Sequence, residues 1–210
     1  MKRRFFIFSV ITMIVMAMSF VGCDKHETIE PSQTTEEYSE GFKTLQSVNV
    51  DETEIAKHAA DYWNGSYYQR YANDCASFAS QCLEKGGISQ ISGEWYFSIS
   101  NPTGNWNQAN TFYNYIVGKY VTTKATFYVS SSTYYNSIKD QLVPGTFVFF
   151  DYDGGGTWDH VMIIHRIGSS GNPELAGHSD DEHEKRMDWA IYNNPNMSSS
   201  GKAKYVKVGY

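Results

Sequence analysis

The stretch NDCASFASQCLEKGG, residues 73–87, predicts the helix around which the rest of the domain is organised. Asn73 and Asp74 are residue types favoured at the start of a helix, and two consecutive glycines are typical of a helix end. Between these ends, apolar residues recur at the spacing of a helix with one buried face. They are Cys75, Phe78, Ala79, Cys82 and Leu83. The pattern therefore places the Cys75 thiol in the first turn of an amphipathic helix.

A thiol in that position is a candidate nucleophile. The positive end of the helix dipole and the unpaired N–H groups of the first turn both favour the thiolate. The simpler alternative is that Cys75 is a small apolar residue that begins a core helix. A single cysteine does not decide between the two, so the decision depends on possible partners elsewhere in the chain.

The first 22 residues have the pattern of a secretory signal peptide. A basic segment at residues 2–4 precedes an apolar run from 5 to 21 that contains no ionisable residue. The run ends in Val21-Gly22-Cys23, which resembles the bacterial lipoprotein box. We therefore expect residues 1–22 to be removed and Cys23 to carry a lipid anchor; an uncleaved membrane anchor is the alternative. Either outcome places the rest of the chain in the extracytoplasmic cell envelope, tethered to a membrane.

The composition separates a spacer from one globular domain. Residues 24–50 are polar with few large apolar side chains, so residues 23–50 are predicted to be the lipidated cysteine and a flexible linker. Residues 51–210 are enough for one domain with its own core. Without the signal peptide the chain has 14 Lys and Arg against 23 Asp and Glu, a net charge of −9. This acidity, with no basic cluster, argues against nucleic acid as a partner.

The two cysteines of the domain are expected to be unpaired. Seven residues apart on one helix, Cys75 and Cys82 are separated by about 10 Å along the axis. A disulfide requires Cα atoms within roughly 7 Å, so the helix would have to break to form one. Free thiols are unusual outside the cytoplasm, where cysteines generally form disulfides. Cys82 is predicted to be a core residue, and Cys75 remains the candidate nucleophile.

Predicted helices come first in the domain and predicted strands follow. Helices are expected at 51–65, 73–87, 105–118 and 132–142, and strands at 146–152, 158–167, 173–179 and near the C-terminus. Alternation along the strands puts His160 on one face with Met162 and Ile164, and His178 on one face with Ala176. If these two strands pair, the two histidines can lie side by side under the helix that carries Cys75. A thiol, an imidazole and a third polar group form the constellation that nucleophilic catalysis requires.

Residues 74–87 resemble the "DCxNFxSQCLxxGG" signature of the bacterial putative amidase domain family. Three further segments are similar to that family: WNQANTFYNY at 106–115, WDHV at 158–161 and HS at 178–179. The resemblance covers roughly residues 52–192. The family belongs with the papain-like cysteine hydrolases, which include the NlpC-type and CHAP cell-wall enzymes.

The resemblance implies an α+β fold in which N-terminal helices pack on an antiparallel sheet, as in papain-like and NlpC-like domains. It also implies that Cys75 is the nucleophile, that His160 is the base, and that His178 orients His160. The reaction would be hydrolysis of an amide bond through a thioester on Cys75, with no cofactor. The backbone N–H of Cys75 is a candidate oxyanion donor. Asp74, Tyr68 and Tyr71 are candidates for the substrate pocket or for further oxyanion contacts.

The function predicted from these observations is a membrane-tethered amidase or peptidase that acts as a monomer on peptidoglycan or another amide substrate. A catalytically silent cell-wall-binding module of the same fold is the alternative. A third interpretation is a metal site formed by the cluster His178, Asp180, Asp181, His183 and Glu184. Its spacing suits neither a zinc hydrolase helix nor a calcium loop, so the segment is predicted to be a solvated acidic turn without metal.

Overall fold

The computed structural model describes residues 44–65, 67–68 and 70–209. The predicted signal peptide, the predicted lipidation site Cys23 and most of the predicted spacer lie outside these residues. Within the described part of the chain, no helix has the length and apolar character needed to cross a membrane.

Six helices and six strands make up the described domain. The helices are α1 (Glu52–Tyr62), α2 (Cys75–Lys85), α3 (Gly104–Asn107), α4 (Ala109–Lys119), α5 (Thr133–Ile138), which continues into a 3-10 turn (Lys139–Gln141), and α6 (Met187–Tyr192). The strands are β1 (Thr122–Tyr128), β2 (Phe147–Asp151), β3 (His160–Ile167), β4 (Pro173–Gly177), β5 (Glu182–Arg186) and β6 (Lys202–Val208). Four of these helices, α1 to α4, precede the first strand, and the helix expected at 105–118 is divided into α3 and α4.

The strands form one antiparallel sheet in the order β1-β6-β2-β3-β4-β5. The predicted α+β fold class is confirmed. The two edge strands, β1 and β5, were not predicted. β5 has the sequence EHEKR, which lacks apolar alternation because an edge strand pairs on one side only and its charged side chains remain in water. The predicted acidic turn is therefore a short turn that leads into this strand.

Helices cover both faces of the sheet, and the strands alternate between two cores. Val161 and Ile163 of β3 pack with residues of α1, α2 and α4 in one core. Met162 and Ile164 pack with residues of α5 and α6 in the other. This alternation decides on which side of the sheet each candidate catalytic side chain lies.

The start of α1 and the end of α2 are as the sequence predicts. The Asp51 side chain accepts hydrogen bonds from the backbone N–H groups of Thr53 (3.0 Å) and Glu54 (3.1 Å) at the start of α1. α2 ends at Gly86, and Gly87 follows with φ 102°, a left-handed conformation that glycine adopts without strain.

The spacer boundary differs from the prediction. The backbone N–H of Gln46 donates to the carbonyl of Lys119 (2.8 Å), and the N–H of Val121 donates to the carbonyl of Gln46 (3.0 Å). Val48 and Val50 pack against the core that contains α2. Residues 46–50 are therefore part of the folded domain, because their backbone is hydrogen-bonded to it and their two valines are partly buried against its core.

Candidate active site

Cys75 is the first residue of α2 and is 8% exposed. Three hydrogen-bond donors face its sulfur: the backbone N–H groups of Val161 and Ala76, and the hydroxyl of Ser179. Each of them favours the thiolate. Burial opposes them and is the largest effect, so the pKa of the Cys75 thiol is raised above its usual value. The resting group is therefore a neutral thiol in a pocket that is already lined with donors for its charged form.

The start of α2 lacks the predicted side-chain cap. Asp74 occupies the N-cap position, but its carboxylate makes no hydrogen bond to the first turn. Its Oδ2 instead accepts hydrogen bonds from His178 Nδ1 (2.9 Å) and Arg70 Nε (3.2 Å). A buried carboxylate gains more from two cationic partners than from a backbone N–H. The N–H groups at the start of α2 thus remain uncapped beside the thiol.

Asp74 and His178 form a buried pair, with both side chains 1% exposed. His178 Nε2 lies 2.8 Å from the carbonyl oxygen of Tyr62, and its ring stacks on Phe78 with centroids 4.0 Å apart. Both ring nitrogens face acceptors, so both hydrogen bonds require His178 to carry two protons. Burial alone would raise the pKa of Asp74, but the hydrogen bond and charge of His178, with the charge of Arg70, lower it overall.

The expected proximity of His160 and His178 on one face of the sheet is wrong. Ile163 is paired with Ala176, so these two residues share the face that packs on α2. His178, two residues after Ala176, lies on that same face. His160 lies on the opposite face with Met162. The alternation within each strand is as predicted. The pairing of β3 with β4, however, is one residue away from the register that would bring His160 opposite His178. His178 uses both nitrogens elsewhere and has none left to orient His160.

His160 is nevertheless close to the thiol through its backbone. The N–H of Val161 that faces the Cys75 sulfur belongs to the peptide that joins His160 to Val161. The His160 ring lies beside Phe150 (centroids 6.1 Å apart) and Tyr152 (6.2 Å). Burial lowers the pKa of His160 to about 4, with a partial opposing effect from the Asp180 carboxylate. The imidazole is therefore neutral at pH 7, which is the form that can accept a proton.

Ser179 is the site residue that sequence reasoning missed. It directly follows His178 and has φ 82°, a left-handed conformation that is strained for a residue with a side chain. In this conformation its hydroxyl faces the Cys75 sulfur. The only signal in the sequence for Ser179 was its place in the HS segment, which is similar to the amidase family. Strand periodicity could not identify it, because β4 ends before the turn that orients the Ser179 hydroxyl.

The hydroxyls of the two candidate tyrosines are engaged away from the thiol. Tyr68 donates to Glu84 Oε2 (2.9 Å) and accepts from Gln90 Nε2 (3.2 Å). Tyr71 donates to the carbonyl of Ser98 (2.5 Å). The structure therefore brings Asp74 to Cys75 but gives neither tyrosine a free hydroxyl for an oxyanion.

The side chains of the acidic segment after β4, residues 180–184, form ion pairs and ring-stacking contacts. Asp181 pairs with Arg70, and Glu184 pairs with Arg166 at 2.8 Å. The His183 ring lies between those of Trp63 (centroids 5.0 Å apart) and His165 (4.4 Å).

A different acidic group meets the distance requirement for a metal ion. Single carboxylate oxygens of Asp151, Asp153 and Asp159 lie within 4.8 Å of one another. These carboxylates accept hydrogen bonds from backbone N–H groups in and beside the β2–β3 loop, and Asp151 also pairs with Lys202 at 3.0 Å. Their contacts account for the shape of that loop.

The expectation of two free thiols is confirmed. Cys75 and Cys82 are both unpaired and buried. Cys82 is completely enclosed by the core, and burial raises its pKa well above the usual value for a thiol. It lacks the backbone and hydroxyl donors of other elements that surround Cys75.

Comparisons with known proteins agree with the resemblance drawn from the motifs. A family model described as "Putative amidase domain" matches residues 49–201. A relative named "Uncharacterized protein YhbB", from Bacillus subtilis (strain 168), is 25% identical over 137 residues. That similarity covers 61% of this chain and 40% of the relative, so the chain spans less than half of the relative's length. No solved structure gives a significant match.

Proposed function

Because the chain belongs to the putative amidase domain family, we propose that it is an amide hydrolase. We propose further that the hydrolysis depends on a cysteine, with Cys75 as the nucleophile and His160 as the base. We further propose that its substrate is peptidoglycan and that it acts in the extracytoplasmic envelope, held to the membrane through a lipid on Cys23. It acts as a monomer and needs no cofactor for this chemistry.

The observation that carries the proposal is the setting of the Cys75 sulfur. It lies at the uncapped start of a helix and faces two backbone N–H groups and the Ser179 hydroxyl. A cysteine that served only to fill the core would need none of these donors, as Cys82 illustrates. Donors arranged around a sulfur reduce the free-energy cost of forming its anion during attack.

The protonation states suggest general-base catalysis rather than a resting ion pair. At pH 7 burial keeps the Cys75 thiol protonated and the His160 imidazole neutral. The His160 side chain lies on the face of the sheet opposite Cys75, but His160 is the first residue of β3. Its ring would reach around this end of the strand to accept the thiol proton as the sulfur attacks the carbonyl carbon. The carbonyl oxygen then carries the negative charge, and in this scheme the backbone N–H of Cys75 donates a hydrogen bond to it.

The second half of the reaction reverses the roles. The imidazolium of His160 gives its proton to the departing nitrogen, the C–N bond breaks, and an acyl thioester remains on Cys75. A water molecule, deprotonated by His160, attacks the thioester and releases the carboxylic acid and the free thiol. His178 serves as a positioning residue in this scheme, because it holds Asp74, and hence the start of α2, through the buried ion pair.

Digestion of purified peptidoglycan tests the proposal directly. The full chain is expected to release fragments whose new amino and carboxyl termini mass spectrometry can identify. Cys75→Ala and His160→Gln should each reduce release by at least about a thousandfold. Cys82→Ala is the matched control at the other cysteine of α2 and should retain activity. Full activity of Cys75→Ala would refute the assignment of the nucleophile.

The burial of Cys75 also favours a second candidate, a silent cell-wall-binding module, because a raised thiol pKa suits a structural cysteine. Alkylation by iodoacetamide at pH 8 separates the two. A nucleophile whose anion is stabilised by three donors should react at least ten times faster than Cys82. Equal protection of both thiols, together with tight binding to intact peptidoglycan and no cleavage, would support the module.

A further inference from the structure

An open groove of about 480 Å³ lies next to the candidate active site and has no role in the scheme above. It is lined by Trp63, Asp181, Glu182, His183, Lys185 and Trp189. These residues come from the segment after α1, from the turn before β5, from β5 itself and from α6. We refer to this feature as the tryptophan groove.

Three connections place the tryptophan groove beside the thiol. Trp63 directly follows Tyr62, whose carbonyl accepts the hydrogen bond from His178. Asp181 bonds to the guanidinium of Arg70, which also bonds to Asp74 next to Cys75. Asp181 is also two residues beyond Ser179, whose hydroxyl faces the sulfur. The groove is therefore linked to the surroundings of Cys75 through Tyr62, Arg70 and Ser179.

The groove has one strongly exposed aromatic wall, Trp189, and one that is partly buried against the core, Trp63. Trp189 is 41% exposed, which is high for the largest apolar side chain. The Trp63 ring is held parallel to His183, with centroids 5.0 Å apart and planes inclined by 17°. Two indoles held at the rim of one concave surface provide flat faces for a ligand, at little cost in side-chain entropy.

The charges of the groove are largely neutralised before any ligand arrives. Lys185 pairs with Glu182, and its Nζ lies 4.8 Å from the centroid of the Trp189 ring. Asp181 pairs with Arg70. A strongly charged ligand would have to break these pairs. A neutral ligand with many hydroxyls could instead use the free lone pairs of the carboxylates while it rests on the indole faces.

We propose that the tryptophan groove is a saccharide subsite. The apolar C–H face of a pyranose ring stacks on an indole face, and its hydroxyl and acetamido groups hydrogen-bond to Asp181, Glu182 and Lys185. The inference rests on the proposed amide hydrolysis and deepens it: the amide that reaches Cys75 is carried by a saccharide, and the sugar binds in the groove. Substrates of this class are acyl groups attached to a glycan and joined to a peptide.

Saccharide binding can be measured without catalysis. The full chain carrying Cys75→Ala is titrated with the tetrasaccharide of N-acetylglucosamine and followed by calorimetry and by the indole N–H signals in NMR. The signals are assigned with Trp189→Phe and Trp63→Phe. We expect the Trp189 and Trp63 signals to shift, and Trp189→Ala to weaken binding by about three- to tenfold. Tyr134→Ala is the matched control, because Tyr134 is a 48% exposed aromatic residue on α5, outside the groove. It should leave the affinity unchanged.

The outcomes separate this inference from the proposed function. Absence of indole shifts at millimolar tetrasaccharide, or equal weakening by Trp189→Ala and Tyr134→Ala, overturns the saccharide subsite whether or not the protein cleaves amides. Cleavage of free peptides at the same kcat/KM as glycan-linked peptides also overturns it. Saccharide binding in the groove with no cleavage by the Cys75-containing chain supports the subsite and refutes the hydrolase instead.

Discussion

Replacement of Asp74 by asparagine tests the role of the buried pair with His178. The change keeps the shape of the side chain and removes its charge, while the His178 imidazolium remains 1% exposed and loses its counter-ion. Breaking a buried pair from one side costs about 3–5 kcal/mol, because the remaining charge is left without compensation. The asparagine oxygen can still accept one hydrogen bond from His178, and the contact with the partly exposed Arg70 contributes little. We therefore expect Asp74→Asn to lower the free energy of unfolding at pH 7 by about 3 kcal/mol.

The same replacement should affect the thiol in the opposite sense. The Asp74 carboxylate raises the pKa of Cys75 by its negative charge. Removal of that charge makes the thiol more acidic, so the midpoint of its alkylation rate should move to lower pH even though the domain is less stable. A variant that was merely damaged would lose stability without this directional change in thiol reactivity.

Urea unfolding of a double-mutant cycle provides the measurement. His178→Gln is expected to cost about 3 kcal/mol, and the double variant Asp74→Asn/His178→Gln should cost at least about 2 kcal/mol less than the sum of the two. The pKa of Asp74 is lower in the folded protein than the usual carboxyl value of 3.8. The coupling energy should therefore be fully present above pH 3.8 and should be lost as the pH falls from 3.8 through the lower pKa of the folded protein. Additivity within about 0.5 kcal/mol at pH 7 would refute the reasoning.

Three other predictions concern the immediate surroundings of the thiol. Ser179→Gly relieves the strain of the left-handed backbone, so it should be about 1 kcal/mol more stable than Ser179→Ala in urea unfolding. Both variants remove the hydroxyl and should slow the alkylation of Cys75. Equal stability of the two variants would contradict the strain. The acid limb of kcat/KM should lie near pH 4, where His160 becomes protonated, and a limb at pH 6.5 would mean that His160 is not the base. Cys82 should resist alkylation in the folded protein at pH 9 and react on unfolding, because burial raises its pKa and encloses it; rapid labelling of native protein would contradict that enclosure.

Local signals in the sequence were sufficient for the elements that build the site. The capping residues of α1, the glycines after α2 and the apolar spacing between them are all short-range features, and each corresponds to the structure. The position of Cys75 in the first turn of α2 follows from them. That Cys75 and Cys82 are not bonded to each other also follows from helix geometry alone.

Features that depend on long-range competition were not predictable in the same way. Asp74 has an ideal N-cap sequence position, yet its carboxylate turns to His178, which is 104 residues away in the chain. The relative placement of His160 and His178 depends on a one-residue register between β3 and β4, which the alternation within each strand does not determine. Ser179 lies in a turn with a positive φ, where no periodic pattern applies.

The position of β6 has a consequence for the order in which the chain can fold. β6 lies between β1 and β2, and β1 pairs with it through all seven of its residues. The 73 residues between Tyr128 and Lys202 must therefore be synthesised before β1 finds its neighbour. At typical rates of about 5–20 residues per second this takes on the order of 4–15 s. During that interval the edge of β2 that β6 will cover is open and β1 has no neighbour in the sheet, so the two parts of the sheet can join only when β6 has been synthesised.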